Sequence, residues 1–456
     1  MLSLLLPMLL AAQTYDVVLQ RGRVMDPESG LDAVRSVGIN GKKIAAISTG
    51  TLRGKVVIDA SGLVIAPGFI DLHQHSQTPE AYRFKAMDGV TTALELEVGA
   101  SPLSEWYASR QGKSLIHFGA SAGHIQARMR VMHDSGDLLP RDAAIQAATS
   151  DVQKAVEAAV SKGLDEGGLG MGMGLVYTPK SSTEEVFSLF KLAAKFKRPI
   201  FVHTRAVGDI VQSLQEVIAN SASTGAPLHV VHINSSGAAR TKVALELIHG
   251  ARDHGLDVTT EAYPYVAGMT DIASASYADW EKQPAEYFSR LLWPPTGERL
   301  TRETFPKYRK QGGFVASFTN TEDMVRMAIG DPIVMIASDG ILEHPRNAGT
   351  YSRVLGKYVR DEKVLGLMDA IRKSSLMPAQ RLEKFTPQMR SKGRVKVGAD
   401  ADLSVFDAAK VIDKSTFEKP KQYSEGFRYV LVEGVFVVKD GSLVDGVMPG
   451  VGIRAQ

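Results

Sequence analysis

Cysteine is absent from all 456 residues, which excludes a disulfide scaffold, zinc–thiolate chemistry and a cysteine nucleophile. A surplus of one charge is also lacking: 53 Lys and Arg stand against 50 Asp and Glu, for a net charge of +3. That balance gives no electrostatic footprint for nucleic acid or an anionic membrane. No apolar run reaches the roughly 20 residues that a spanning helix needs. Low-complexity tracts, long charge runs and internal repeats of about 20 to 50 residues are missing as well. What remains is 44% hydrophobic and 23% charged, too apolar for disorder and ordinary for a chain with a core. The length suggests about three domains, although one large barrel can fill most of it.

Met1–Ala12 reads MLSLLLPMLLAA. An apolar run ending in small residues resembles a secretory signal, yet no Lys or Arg precedes Arg21 to make a basic start. Read as a signal, residues 1–13 are removed and the protein is exported to the periplasm or the medium; read otherwise, it is cytoplasmic. Either way the segment is set apart from the fold.

From Gly68 onward, short apolar strands alternate with helical patterns. Strands are expected at Gly68–His75, Val90–Val98, Ser114–Ala120, Leu169–Leu175, Pro199–His203, Leu228–His232, Asp257–Tyr263 and Ile333–Ser338. Asp142–Lys162 and Thr183–Phe196 carry apolar residues at helical spacing. Eight such units predict an α/β fold, a (β/α)8 TIM barrel over 67–393 with its chemistry at the C-terminal strand ends. The two chain ends read differently. Tyr15–Ala66 and Val395–Val447 hold short alternating runs broken by Gly and Asn, so residues 14–66 and 394–456 are expected to pair into one small β-sandwich domain. The stretch from Asp271 to Asp331, with Trp280, Tyr287 and Trp293, is long for a barrel loop and is read as a pocket wall.

The strongest chemical signal is Asp71-Leu72-His73-Gln74-His75. Side chains two apart on a strand share a face, so His73 and His75 can reach one cation. Three more candidates end strands: His203 closes PIFVH, His232 closes LHVVH and Asp339 closes PIVMIASD. In a parallel barrel these ends share one rim, which four of the eleven histidines would not do as scattered core residues. The second strand, GVTTALELEV, alternates. Val90, Leu94, Leu96 and Val98 are expected to face the helices, and Glu95 and Glu97 the interior. Two carboxylates there need a cation or a donor. Glu97, nearer the rim, is read as a bridge between two metals, and Glu95 as the alternative ligand or the partner of a ligating histidine.

These motifs resemble the amidohydrolase superfamily, and within it the D-aminoacylase group, the N-acyl-D-amino-acid deacylases. APGFIDLHQHSQ (66–77), GHIQARMRVM (123–132), GLGMGMGLVYTP (168–179), FVHTR (201–205), YPYVAGMT (263–270), SDG (338–340), HPRNAGTYSRVLGKYVR (344–360) and GADADLSVFD (398–407) carry the resemblance in order. It implies a metal-activated hydroxide that attacks an amide carbonyl. His73 and His75 match one pair of metal ligands, His203 and His232 another, and Asp339 the ligand that also serves as general acid and base. Zinc (Zn2+), one ion or two, suits such ligands. The partner implied is a small-molecule substrate, an N-acyl-D-amino acid or D-configured peptide, or else a dipeptide, cyclic amide or lactone. The oligomeric state is not legible.

Two departures stand out. The group places a Cys in a GNCG turn on the second strand, where this chain has Glu97-Val98-Gly99. A Lys two residues after the sixth-strand His is replaced by Asn234. With that Lys gone, Arg205, Arg240 or Arg346 is left to meet a substrate carboxylate. Arg346 has a salt bridge as its other reading. Tyr177 is read as a donor to the substrate carbonyl, and one of Tyr263 and Tyr265 as lining the pocket. His124 is either the partner of a site residue or a satisfied loop histidine. His229 faces away from Leu228 and Val230 and is given a packing role.

Overall fold

The computed structural model describes residues 14–205 and 209–456; the signal reading of residues 1–13 lies outside them. Eight parallel strands follow one another around the barrel: β1 (Phe69–Asp71), β2 (Val90–Ala100), β3 (His117–Gly123), β4 (Met171–Gly174), β5 (Ile200–His203), β6 (Leu228–Val230), β7 (Val258–Ala262) and β8 (Val334–Ile336). Closure between β1 and β8 comes just past the strand ends, where Gln74 bridges Gly340 and the Gly340 N–H donates to the His73 carbonyl at 3.1 Å.

Alternation sorts each strand. Ile200, Val202, Leu228, Val230 and Val334 pack outward against helix residues such as Leu189, Phe190, Leu214 and Ile248. Phe201 and Met335 point inward and meet Leu94, Leu96, Leu382 and Ile453. The expected alternation of β2 therefore holds only in part. Val90 does pack among helix residues, with Ala93 beside it, but Leu94 and Leu96 fill the interior. The reason is two irregularities: Phe69 pairs with Val90 but Ile70 with Thr92, which puts an extra residue before Leu94, and Glu95 pairs with Ala120 but Ala100 with Ala122, so residues 96–99 bulge opposite Ser121 alone. The bulge lets Leu96 and Glu97 both serve the interior. Gly99 sits in it at φ +69, with Gly123 so close that a Cβ would lie 2.6 Å from its Cα; only glycine fits. Truncating Leu94 to Ala should cost about 2–5 kcal/mol of stability, read from the denaturant midpoint. A cost below about 1 kcal/mol would mean that Leu94 lies outside the packed interior.

The helix over Thr183–Phe196 has the expected bounds. The one expected from Asp142 begins only at Ser150, where the Thr149 hydroxyl accepts the Val152 N–H. The preceding residues form a loop pinned by the Asp134 carboxylate and by Arg128, which donates to the Ala144 carbonyl at 3.1 Å.

Both chain ends build the second sheet. Thr14–Asp26, Leu31–Asn40, Lys43–Ser48, Arg53–Asp59 and Val64–Pro67 join Leu403–Phe406, Phe427–Val432, Val435–Lys439 and Ser442–Leu443. Its core includes Leu19, Val37, Ile65, Leu403 and Leu431. Residues 450–456, grouped by sequence with this layer, instead run beneath the barrel. There the Ile453 N–H donates to the Phe118 carbonyl at 2.8 Å and the Ala455 N–H to that of Gly167 at 2.9 Å. Between β7 and β8, Gly268–Asp271, Leu291–Trp293, Glu298–Arg299 and Phe314–Ser317 form a small antiparallel sheet over its own core of Phe288, Trp293 and Phe305.

Candidate metal centre

Asp71 anchors the rim. Its Oδ1 accepts the backbone N–H of Ser338 at 2.9 Å, and its Oδ2 accepts Lys85 Nζ at 2.7 Å. This fully buried pair fastens the end of β1 to the end of β8 and sets the line of His73 and His75. His232 reaches the rim by a different route. Since Leu228 and Val230 face outward, strict alternation would carry His232 outward too. A left-handed turn at His232 itself, φ 32, swings it into the barrel. Asp339 is also left-handed, at φ 50.

These residues converge. Glu97 Oε2 lies 2.6 Å from His73 Nε2 and 3.5 Å from His75 Nε2, while Oε1 lies 3.0 Å from His203 Nδ1. Asp339 Oδ1 is 3.2 Å from His75 Nε2. His73, His75, Glu97 and Asp339 form one set of donor atoms within 4.8 Å of one another, and Glu97, His203 and His232 form a second. Glu97 belongs to both. Glu95 belongs to neither: its Oε2 accepts from His75 Nδ1 at 2.8 Å and fixes that ring.

The donor set fits a cation. Imidazole nitrogens approach each other at 3.1 Å in two places, His73 with His75 and His203 with His232. Two lone pairs facing each other need a proton or a metal between them, and mixed imidazole and carboxylate ligands suit zinc. The electrostatics agree. Burial lowers the His73 pKa, but the carboxylates of Asp339, Glu261 and Glu97 outweigh it and hold it at about 10. Burial raises Glu97, yet His73, His203 and His232 keep it well below the usual carboxylate range. Asp339 is likewise pushed up by burial and pulled further down by Arg346 and His73. Positive charge is what this pocket accommodates.

A second tier was missed from the sequence. Glu261, on β7, accepts His73 Nδ1 on Oε1 at 2.5 Å and His229 Nε2 on Oε2 at 3.1 Å. His229 Nδ1 lies 2.7 Å from the Thr259 hydroxyl. His229 is thus a polar link, where its facing suggested packing. A lone carboxylate in the buried run VTTEA was the available signal. Glu261→Gln should weaken zinc binding by about 10–100-fold in chelator competition. Unchanged affinity would show that Glu261 does not orient His73.

The other predicted residues divide. Tyr177, Arg205, His203, His232 and Asp339 line a cavity of about 510 Å³ together with Tyr277, Tyr287 and Thr319 from the insertion, which therefore does form a wall. Arg205 Nε donates to both Glu216 oxygens, at 2.8 and 3.0 Å, and its buried Nη2 has no partner among the described residues. Arg346 is wholly buried, in an ion pair of 2.8 Å with Asp339 Oδ2 and stacked 4.7 Å over the Tyr263 ring. Tyr263 lies behind His232. Asn234 does not line the cavity; it is buried and donates to the Tyr263 carbonyl at 3.0 Å. Tyr265 donates to the Pro345 carbonyl at 3.3 Å. His124 pairs at 2.9 Å with Glu185, which Arg128 also grips.

A closed parallel barrel with a buried histidine–carboxylate cluster at its C-terminal rim, open to a small-molecule cavity, defines a metal-centre hydrolase of the barrel type. The chain belongs to the amidohydrolase family, which matches residues 56–438. Its relatives include an N-acyl-D-glutamate deacylase of Alcaligenes xylosoxydans xylosoxydans, 30% identical over 93% of this chain and 94% of that one. A D-aminoacylase of the same organism is 28% identical over 93% and 94%. Among solved structures, a D-aminoacylase superimposes with a TM-score of 0.82 at 27% identity, covering 96% of this chain and all of the other. An N-acyl-D-glutamate deacylase from Bordetella bronchiseptica, complexed with zinc and a phosphonate mimic of the tetrahedral intermediate, gives 0.82 at 26% identity, over 97% of this chain and all of that one. The chain is accordingly an amidohydrolase acting on carbon–nitrogen bonds.

Proposed function

We propose that the enzyme is a zinc-dependent deacylase of N-acyl-D-amino acids. The observation that carries the metal chemistry is the position of Glu97 in both donor sets. His73, His75, Glu97 and Asp339 would hold one ion, and Glu97, His203 and His232 a second. A divalent cation there supplies Lewis acidity, making water nucleophilic near neutral pH and polarising a carbonyl oxygen.

The chain supplies the rest. Asp339, kept ionised by Arg346, takes a proton from the attacking water and delivers it to the amide nitrogen as the C–N bond breaks. The acyl group leaves as a carboxylic acid and the amino acid as an amine. The Tyr177 hydroxyl faces the cavity and donates to the carbonyl oxygen as charge develops. Arg205, which lines the cavity, receives the substrate carboxylate in place of the lysine that Asn234 replaces. Among the described lining residues, Arg205 is the one Lys or Arg, and Asp279 adds a carboxylate. This arrangement favours a neutral side chain over a second acid. The D configuration follows the deacylases to which the chain is similar.

The test is hydrolysis by the zinc-loaded enzyme of N-acetyl amino acids and dipeptides in both L and D forms, and of one cyclic amide. Cleavage of N-acetyl-D-leucine well ahead of N-acetyl-D-glutamate and of the L compounds is expected. Cleavage of the dipeptides or the cyclic amide alone would overturn the substrate while leaving the metal chemistry in place.

A further inference from the structure

A cavity larger than the one at the metal centre lies elsewhere. About 930 Å³ opens at the other end of the barrel, lined by residues that precede or begin its strands: Arg198 before β5, Pro227 before β6, Asp257 and Thr259 at β7, Ile333 and Met335 at β8. Its walls carry Lys197, Arg198, Arg252, Arg372, Arg381 and Lys384, and among the described lining residues Asp257 has the one carboxylate side chain. Two of the arginines are more than nine-tenths buried. Arg381 gives Nη1 to Asp257 Oδ1 at 2.6 Å, while its buried Nε and Nη2 have no partner among the described residues. Arg198 gives Nη2 to a main-chain oxygen of Gln456 at 2.6 Å, and its buried Nε has no partner among the described residues.

Buried guanidinium nitrogens without acceptors are costly and uncommon. Three of them around one cavity, within a surplus of positive charge, call for an acceptor that carries negative charge. The planar guanidinium fork matches a carboxylate or a phosphate. Phe196, Met335, Met377 and Phe385 line the same space, which is large for an inorganic ion and within the range of about 300–1,000 Å³ typical of small-molecule sites. We infer that the N-terminal mouth of the barrel is a second binding site, for an organic anion that joins a carboxylate or phosphate monoester to an apolar group. The inference is independent of which amide the enzyme cleaves.

The probe is phenyl phosphate, titrated calorimetrically into the zinc-loaded full chain at physiological ionic strength and soaked into its crystals. A phosphate group can also reach the metal centre, so the comparison is with a Lys197→Glu, Lys384→Glu variant. Both lysines are exposed and far from the rim, so fold and zinc content should be unchanged. The wild type is expected to show two binding events, of which the variant loses one or weakens it by about tenfold. The crystals should show the phosphate on Arg198 and Arg381. Binding at the metal centre alone, or identical titrations for the two proteins, would overturn the inference. Arg381→Gln, if it folds, should abolish the same event.

Discussion

Replacing Asp339 by Asn is expected to lower kcat for amide hydrolysis by about a thousandfold, the middle of the range for loss of a positioned acid–base group. The change keeps the shape of the side chain. Arg205 and Tyr177 are untouched, so KM should move far less than kcat. His73, His75 and Glu97 remain, so zinc should stay bound. The expectation depends on the ion pair of 2.8 Å between Asp339 and Arg346, which holds the carboxylate ionised and turned towards the cavity. Parallel steady-state kinetics and zinc analysis decide the matter. A variant that kept zinc and worked within a few-fold of the wild type would assign proton transfer to another group.

Glu97→Gln is expected to act on the metals first. An amide cannot supply the negative charge that lies between the two donor sets, and two cations sharing that space would repel each other. Zinc should fall to one ion or fewer per chain, and activity by more than roughly a hundredfold. Glu95→Gln is the control. Glu95 meets His75 Nδ1 at 2.8 Å and stands outside both sets, so its variant should keep two ions with weaker affinity. If the two variants had the same metal content, the distinction between bridge and orienting partner would fail.

Much of this site was legible because chemistry and position coincide in the sequence. His203, His232 and Asp339 each end an apolar run, and a parallel barrel gathers such ends on one rim. Glu97 stood out as a carboxylate where burial is otherwise complete. The finer details depended on contacts that no local pattern encodes. Counting in twos placed Leu94 and Leu96 on the helix side, but an extra residue between Val90 and Thr92 breaks the count before Leu94, and the bulge opposite Ser121 breaks it again after Glu95. The same counting sends His232 outward, and its left-handed backbone reverses that. Glu261 and His229 are thirty or more residues from the groups that give them meaning, so their link to His73 emerges only when the barrel closes and brings β6 and β7 to the same interior as the end of β1. The choice among Arg205, Arg240 and Arg346 rests on which guanidinium borders the cavity. Arg346 is buried against Asp339 and Arg240 lies by Asp209, whereas Arg205 is among the lining residues.

Glu97 belongs to both donor sets and would be shared by two metals, and one measurement reaches that bridge directly. Crystals of the zinc-loaded protein, measured on both sides of the zinc absorption edge, locate the ions independently of any assay. Two anomalous peaks are expected, one among His73, His75 and Asp339, the other between His203 and His232, with an oxygen of Glu97 bonded to each. Peaks that leave Glu97 unbonded, or a zinc ion held without it, would contradict the account.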